Sequence, residues 1–344
     1  MNEKVACFGE IMLRLAPPEN KRFIQTNRYD AIFGGGEANV AVSLSNFGIE
    51  TYYISKIPTH QIGEACIQYL RKFGVNTNKI IRGGERIGIY FLETGSSVRP
   101  SKVIYDRAYS SISEADPKEF DWDVLLEGIN WFHWTGITPA ISQNLADICL
   151  EALKGAKKKG IMVSCDLNYR SLLWKYGKQP SEIMPELVKY CDIVIGNEED
   201  ADKVLGIKNA DIDVTSGTLD AQKYKSVVEE MVKKYPNLKI VAITLRGSIS
   251  ASHNTWAALL YDGKEMYVSP QYDIFPIIDR IGGGDSFMAG LIYGLMTYKE
   301  DSQHVLNFAV AASSLKHTIY GDFNLVSTEE VLRLMRDRSG RVER

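Results

Sequence analysis

The chain has 344 residues, 45% hydrophobic and 24% charged, with a formal net charge of −3. This is the make-up of a globular protein with a sizeable core, long for one domain and short for two. It offers no basic field for nucleic acid or an anionic membrane, and no window nears the ~18 apolar residues of a membrane span.

In chain order, Lys4–Phe8 reads as a first strand, and Glu37–Phe47 as a helix that follows a glycine cluster and stops at Gly48. Thr51–Lys56 is a strand and Gly63–Phe73 a helix ended by Gly74. Strand–helix pairs follow: Asn130–Trp134 with Ser142–Lys158, Met162–Asp166 with Ser181–Lys189, and Ile193–Ile195 with Glu198–Leu205. Leu219–Lys234 is a further helix and Ile240–Leu245 a β-branched strand. Ala257–Tyr261 and Glu265–Ser269 form a hairpin around Asp262-Gly263-Lys264. Helices at Asp285–Thr297 and Gln303–Lys316 follow, and the arginine-rich run Arg333–Arg344 reads as a solvated helix end or frayed tail. The alternation is that of βαβ units around a mostly parallel sheet.

Two stretches break the rhythm. Met12–Ala31 and Gly88–Ala108 are extended, and around the second Ile87–Glu93 and Lys102–Tyr109 read as antiparallel strands flanking the Gly95–Pro100 turn. They predict a small β-subdomain at one end of the main sheet. Its exposed face and edges require it to act as a lid, an oligomer interface, or both.

The five cysteines are scattered and odd in number, without a C-x-x-C pair, and Glu3 and Lys4 precede only a short apolar run. Both features predict a reducing, cytoplasmic setting rather than secretion. The five histidines have no metal-ligand spacing. Trp131, Phe132 and Trp134 are assigned to packing.

The segment carrying most chemistry is Asp279-Arg280-Ile281-Gly282-Gly283-Gly284-Asp285-Ser286-Phe287-Met288-Ala289-Gly290. Three glycines at a helix start let main-chain N–H groups converge where the helix dipole is positive, which suits a phosphoryl group in transfer. A carboxylate there is an odd neighbour for phosphate unless it faces the attacking hydroxyl. Asp285 would accept that proton while the Gly282, Gly283 and Gly284 amides form the anion hole. The plain alternative is Asp285 as a helix cap.

A second segment, Gly34-Gly35-Gly36-Glu37-Ala38-Asn39-Val40-Ala41, lies near the other end of the chain. It lacks the G-x-G-x-x-G spacing of a dinucleotide-binding dehydrogenase. Taken with the first, in this order, it resembles the paired signatures of the ribokinase (PfkB-type) family of carbohydrate kinases, and the resemblance runs over essentially the whole chain. It implies a single catalytic domain over 1–344, a ribokinase-like three-layer α/β sandwich with a mostly parallel central sheet. The small β-sheet lid would come from insertions at about 12–31 and 88–109. It implies ATP and Mg²⁺ as cofactors, with a monovalent cation allowed. Gly34, Gly35 and Asn39 would line the sugar pocket, with Asn39 as a buried structural hydrogen-bonder the alternative. Asn197-Glu198-Glu199-Asp200 resembles the family's N-x-x-E element, which organises Mg²⁺ and phosphates through water; Asp200 stands at the Glu position, and capping is the alternative role. Thr244, Arg246 and Gly247, placed after the Ile240–Leu245 strand, together with Gly282 and Gly284, would contact ATP. Asn307 and Ala311 would border adenine.

The run Asp279–Phe287 departs from the general signature at Arg280 and resembles the 2-keto-3-deoxygluconate kinase subgroup. Tyr105-Asp106-Arg107, Asp166-Leu167-Asn168-Tyr169-Arg170 and Leu315–Asn324 carry the same likeness. A keto-deoxy sugar acid has a carboxylate, which arginine binds through paired charge-assisted hydrogen bonds. Arg170 is thereby assigned to it, with Arg107 and the Tyr105 hydroxyl closing from the lid; Tyr90 fits the subgroup's substrate-side tyrosine, and Asn168 would face the phosphates or hydrated Mg²⁺. Pairing of the two arginines with Asp106 or Asp166 is the competing possibility. The resemblance implies phosphorylation of the terminal hydroxyl of 2-keto-3-deoxygluconate. The rivals are fructose, an epimeric keto-deoxy acid, or a non-catalytic sugar-acid or nucleotide sensor. The partners are then the small-molecule sugar acid and ATP, with a homo-oligomer formed through the lid.

Overall fold

The computed structural model describes residues 3–207 and 221–337. In chain order the strands are β1 (Lys4–Phe8), β2 (Met12–Ala16), β3 (Asp30–Gly34), β4 (Glu50–Ile54), β5 (Lys56–Ile57), β6 (Ile81–Arg82), β7 (Gly88–Glu93), β8 (Lys102–Asp106), β9 (Trp131–Thr135), β10 (Met162–Asp166), β11 (Ile193–Gly196), β12 (Ile240–Ser250), β13 (His253–Tyr261), β14 (Met266–Val268) and β15 (Tyr272–Ile274). The helices are α1 (Gly36–Asn46), α2 (Gln61–Lys72), α3 (Trp122–Leu125), α4 (Gln143–Lys158), α5 (Pro180–Val188), α6 (Glu198–Leu205), α7 (Ala221–Lys234), α8 (Gly283–Thr297), α9 (Ser302–Lys316) and α10 (Thr328–Arg336). The residues expected to open α7, 219 and 220, lie outside the described residues.

The main sheet runs β14-β13-β12-β11-β10-β9-β1-β4, with β15 also on β13. From β4 to β12 every pairing is parallel, and β13 to β15 are antiparallel. Both faces are covered, so the central strands are near-continuous apolar runs; all five residues of β9 are buried. Alternate side chains enter different cores. Val5 and Cys7 of β1 join α1, α2, α8 and α9, whereas Ala6 and Phe8 join α4 to α7. This is the expected three-layer sandwich. All five cysteines are free and buried, and among the described residues no helix is long and apolar enough to cross a membrane.

The chain leaves β1 for β4 on one side and returns at β9 on the other, so the sheet's switch point lies between β1 and β9. Crevices at the carboxyl ends of such strands are where open α/β sheets bind ligands. Glu10, Thr135, Asp166 and Asn197 follow or end β1, β9, β10 and β11 at that edge.

A separate four-stranded sheet, β3-β2-β7-β8, stands over the same edge. The turn between β7 and β8 touches the β12–β13 turn: Ala251 N–H donates to the Ser97 carbonyl at 2.7 Å, and Ser97 N–H to Ser252 Oγ at 3.0 Å.

Several elements differ from the sequence reading, the short β6 and α3 among them. Thr244–Gly247 does not follow a strand ending at Leu245; it lies inside β12, which continues to Ser250 because β13 supplies an antiparallel partner through a bulge between Ser248 and Ser250. Gly247 and Ser248 look like turn residues in isolation, and the neighbouring strand overrides them. The short β15 was not expected. Nor was most of α10, whose start is fixed by a reciprocal Ser327–Glu330 cap and whose Val331 is buried. Residues 338–344 of the arginine-rich tail lie outside the described residues.

Candidate active site

The two glycine segments meet. Gly35 precedes α1 so closely against the loop after β1 that a Cβ on it would stand 2.1 Å from the Glu10 carbonyl oxygen. Gly282 precedes α8 at φ 83°, where glycine alone is unstrained, and a Cβ on it would stand 2.1 Å from the Asp322 carbonyl oxygen. Asn39 joins the two: its Oδ1 accepts from Gly35 N–H at 3.2 Å, and its Nδ2 donates to Asp285 Oδ2 at 2.6 Å. Asn39 is itself buried, so it reaches Asp285 rather than open space. Asp285, the third residue of α8, is half-buried, and its Oδ1 lies 3.5 Å from where a Cβ on Gly36 would stand. Burial lifts its pKa to about 6; the Asn39 hydrogen bond opposes this, Asp322 adds to it, and Arg170 and Lys316 oppose it. No other atom lies within 4 Å of where a Gly284 side chain would stand, while Gly283 N–H donates to the Arg280 carbonyl at 3.4 Å.

Behind Asp285 sits Glu37, buried, accepting from Thr135 Oγ1 and Thr138 Oγ1 at 2.8 Å each. Burial raises its pKa to about 7, the two threonines counter that, and the Asp285 charge adds to it.

At the ends of β10 and β11 lies a group of acids. Burial holds the Asp166 carboxyl well above its usual range, with Asp200 and Asp285 adding repulsion and Arg170 relieving it. Asp200 and Asn197 cap α6 reciprocally, Asn197 N–H to Asp200 Oδ2 at 2.8 Å and Asp200 N–H to Asn197 Oδ1 at 2.9 Å. The other Asp200 oxygen accepts from Tyr169 N–H at 2.7 Å. The pair is thus a helix cap first, and any metal contact must use the remaining lone pairs through water. Asn168 is buried at φ 42°, and its Oδ1 has no partner. Arg170 is exposed, and its one hydrogen bond among the described residues goes to the Tyr169 carbonyl at 2.7 Å.

The residues expected on the small sheet divide differently. Arg107, 8% exposed, pairs with neither Asp106 nor Asp166. It pairs with Glu10, whose Oε2 lies 2.8 Å from Nε and 2.5 Å from Nη2, while Ser110 Oγ holds Glu10 Oε1 at 2.6 Å. Glu10 sits on the strand-end loop directly below β8, which sequence separation hides. Tyr105 is half-buried between Tyr90 and the Arg107 guanidinium. Tyr90 is buried, and its hydroxyl donates to Asp322 Oδ2 at 2.5 Å. Asp322 and Asp279 flank Arg14, which is 0% exposed, with contacts of 2.8 and 2.6 Å. Burial works against the Arg14 charge and the two carboxylates more than restore it. Gly34 packs against this Asp322 carboxylate.

On the far side of the glycine turn stand cations. The half-buried Arg280 donates from Nη2 to the Ser250 and Ala251 carbonyls at 3.2 and 2.7 Å. Its pKa is lowered by burial and then by the like charge of Arg246. His317, against Gly283, is held neutral at a pKa of about 4 by burial, despite its bond to the Ser313 carbonyl, and by Lys316, Arg280 and Arg246. Thr244 and Gly247 are partly exposed on β12, and Asn307 on α9 accepts from Gln303 at 2.8 Å. Cations beside a helix N-terminus give this side of the cleft a positive potential.

The model of the pfkB family of carbohydrate kinases matches residues 2–328. The chain belongs to that family. A solved 2-dehydro-3-deoxygluconokinase from Thermotoga maritima is 48% identical, with a TM-score of 0.92 over 97% of this chain and 100% of its own. A pfkB family carbohydrate kinase from Listeria grayi is 32% identical, with a TM-score of 0.88 over 97% and 100%. A 2-dehydro-3-deoxygalactonokinase from Haloferax volcanii is 30% identical over 344 residues, all of both chains.

For a pfkB carbohydrate kinase, several participants were not legible in the sequence. Glu10, Arg14, Glu37 and Asp322 were not singled out as site residues. The available signals were slight: Glu37 directly after three glycines, and Arg14 on the inward side of a strand between Met12 and Ala16.

Proposed function

We propose that this kinase transfers the γ-phosphoryl group of ATP, with Mg²⁺, to the terminal hydroxyl of 2-keto-3-deoxygluconate, giving the 6-phosphate. The observation that carries the reading is Asp285 itself, pinned by Asn39 within the first turn of a helix that opens on glycines. Asp285 takes the proton of the acceptor hydroxyl as that oxygen bonds to the γ-phosphorus and the bond to ADP breaks. The Gly282–Gly284 turn faces the charge on the transferred group, and Arg246 and Arg280 face the triphosphate, with Thr244 and Gly247 alongside. Asn307 is placed to border adenine. Asp166, Asp200 and the unpartnered Asn168 Oδ1 fit a hydrated divalent cation, because carboxyls raised by burial and mutual repulsion gain from positive charge. Mg²⁺ held there through water supplies charge neutralisation for the phosphates.

Arg170 is the arginine left for the substrate carboxylate, since Arg107 is already paired with Glu10. Arg107 and Tyr105 shape the roof, and the small sheet is the lid. The full-length relatives that act on keto-deoxy sugar acids support this acceptor class over neutral sugars. The Haloferax relative keeps the epimer 2-keto-3-deoxygalactonate in view as a second acceptor. Turnover coupled to ADP release, measured on both epimers, fructose and ribose, tests the proposal. We expect the gluconate epimer to exceed the neutral sugars in kcat/KM by about 10²-fold, the scale of one charge-assisted paired hydrogen bond to the carboxylate. Equal or faster turnover of fructose would refute the acceptor.

The lid also supplies an oligomer face. Met12, Arg14, Tyr90 and Leu92 point inward and are buried, while Leu15, Ile89, Phe91 and Ile104 lie on the other side. Ile104 is 54% exposed, and the partly exposed Phe23 and Tyr29 pack on Phe91. A single-layer sheet with an apolar outer face pairs readily with a second copy. Light scattering should find a dimer, and Phe91→Lys with Ile104→Lys a folded monomer; a monomeric parent protein would contradict this. Free, buried cysteines accord with a cytoplasmic setting.

A further inference from the structure

Lys316, the last residue of α9, is 0% exposed. An ammonium out of water needs oxygens in place of its hydration shell. Nζ finds two, and both are main-chain carbonyls: Ile319 at 3.0 Å and Asp279 at 3.4 Å. The neighbouring carboxylates of Asp279 and Asp322 are engaged by Arg14 instead. Carbonyl oxygens gathered around one positive charge are the means by which proteins hold a dehydrated monovalent cation. Here a tethered amine stands in that place.

The location matters. The Asp279 carbonyl opens the segment that runs into the glycine turn, and Ile319 opens the loop that runs to Asp322. The two segments are further knitted by Gly321 N–H to Asp279 Oδ2 at 3.1 Å and Ile278 N–H to the His317 carbonyl at 2.8 Å. Lys316 Cε lies 3.4 Å from where a Cβ on Gly282 would be. The ammonium therefore lies directly beneath the anion hole and ties its two loops together.

We infer that Lys316 is a built-in monovalent cation, a positioning residue that shapes the Gly282–Gly284 turn and sets a fixed positive charge behind the transferred phosphoryl group. The inference rests on the phosphoryl transfer proposed above. A free monovalent ion, which the family resemblance allows, does not fit this place. Both carbonyls are taken, an added ion would face the ammonium, and Arg14 with Lys316 already balances Asp279 with Asp322.

The native enzyme gives the first test. Turnover with Mg²⁺ and ATP should change less than about twofold when K⁺ and Na⁺ are replaced by tetramethylammonium; a tenfold or greater dependence on K⁺ would overturn the inference. Lys316→Met should lower kcat about 10²-fold, with smaller changes in either KM, as expected for loss of one oriented charge at a transition state. Added K⁺ should recover part of that loss, and methylammonium should recover part of the activity lost in Lys316→Ala. Unchanged kcat in Lys316→Met, or a folded variant that responds to neither ion, would also overturn it. If the variants do not fold, the ion replacement on the parent enzyme still decides. Cation dependence in a working sugar-acid kinase removes only this inference, whereas failure of the acceptor panel removes the reading beneath it.

Discussion

Asp285→Asn should lower kcat by about 10³-fold, the scale of losing a general base, while leaving the fold and ATP binding near those of the parent. The substitution keeps the shape of the side chain, and the new amide can turn its oxygen toward Asn39, so the bond joining α1 to α8 survives. What disappears is proton affinity. An aspartate at an ordinary pKa would be a weak base; burial lifts this one to about 6, close to neutral, where ionised form and basicity are both useful. Single-turnover kinetics with calorimetric ATP titration checks the split. Near-parental turnover in the variant would leave Asp285 only the structural role of joining α8 to Asn39.

Arg170→Ala should raise KM for the keto acid by about 10²-fold and change KM for ATP much less. A charge-assisted, paired hydrogen bond to a carboxylate is worth about 1.5–3 kcal/mol, and that is the contact removed. Stability should hardly move, because the exposed guanidinium bonds only to its neighbour's carbonyl. A second effect distinguishes the loss of this cation from a packing defect. Arg170 favours the ionised forms of Asp166, Asp200 and Asp285, so all three should titrate at higher pH in the variant. Equal weakening of both substrates would contradict the assignment, and steady-state kinetics at saturating co-substrate separates the cases.

The sheet was legible because strands covered on both faces are continuous apolar runs, as in Ile193–Ile195 and Ile240–Leu245, alternating with helices that carry their own stop signals. Both glycine segments were legible for a similar reason: a turn that must bring main chain within a few ångströms of something else excludes a Cβ, and the exclusion is visible in the letters. Charges were harder. A lone arginine in a strand shows nothing of its counter-ions, and Arg14 meets Asp322 across 308 positions of chain. Arg107 was assigned to the substrate from the Tyr105-Asp106-Arg107 likeness and from the carboxylate it would bind, and only the fold shows Glu10 beneath it. Asn197 and Asp200 illustrate the reverse case, in which a local pattern serves a cap whether or not it also serves a metal.

The dependence of kcat/KM on pH tests the central claim most directly. Asp285 works only when ionised, so the account predicts a rise through about pH 6 and a plateau above it in the parent enzyme. The same limb should be absent from the residual activity of Asp285→Asn. A limb that persists unchanged in that variant would show that another group takes the proton.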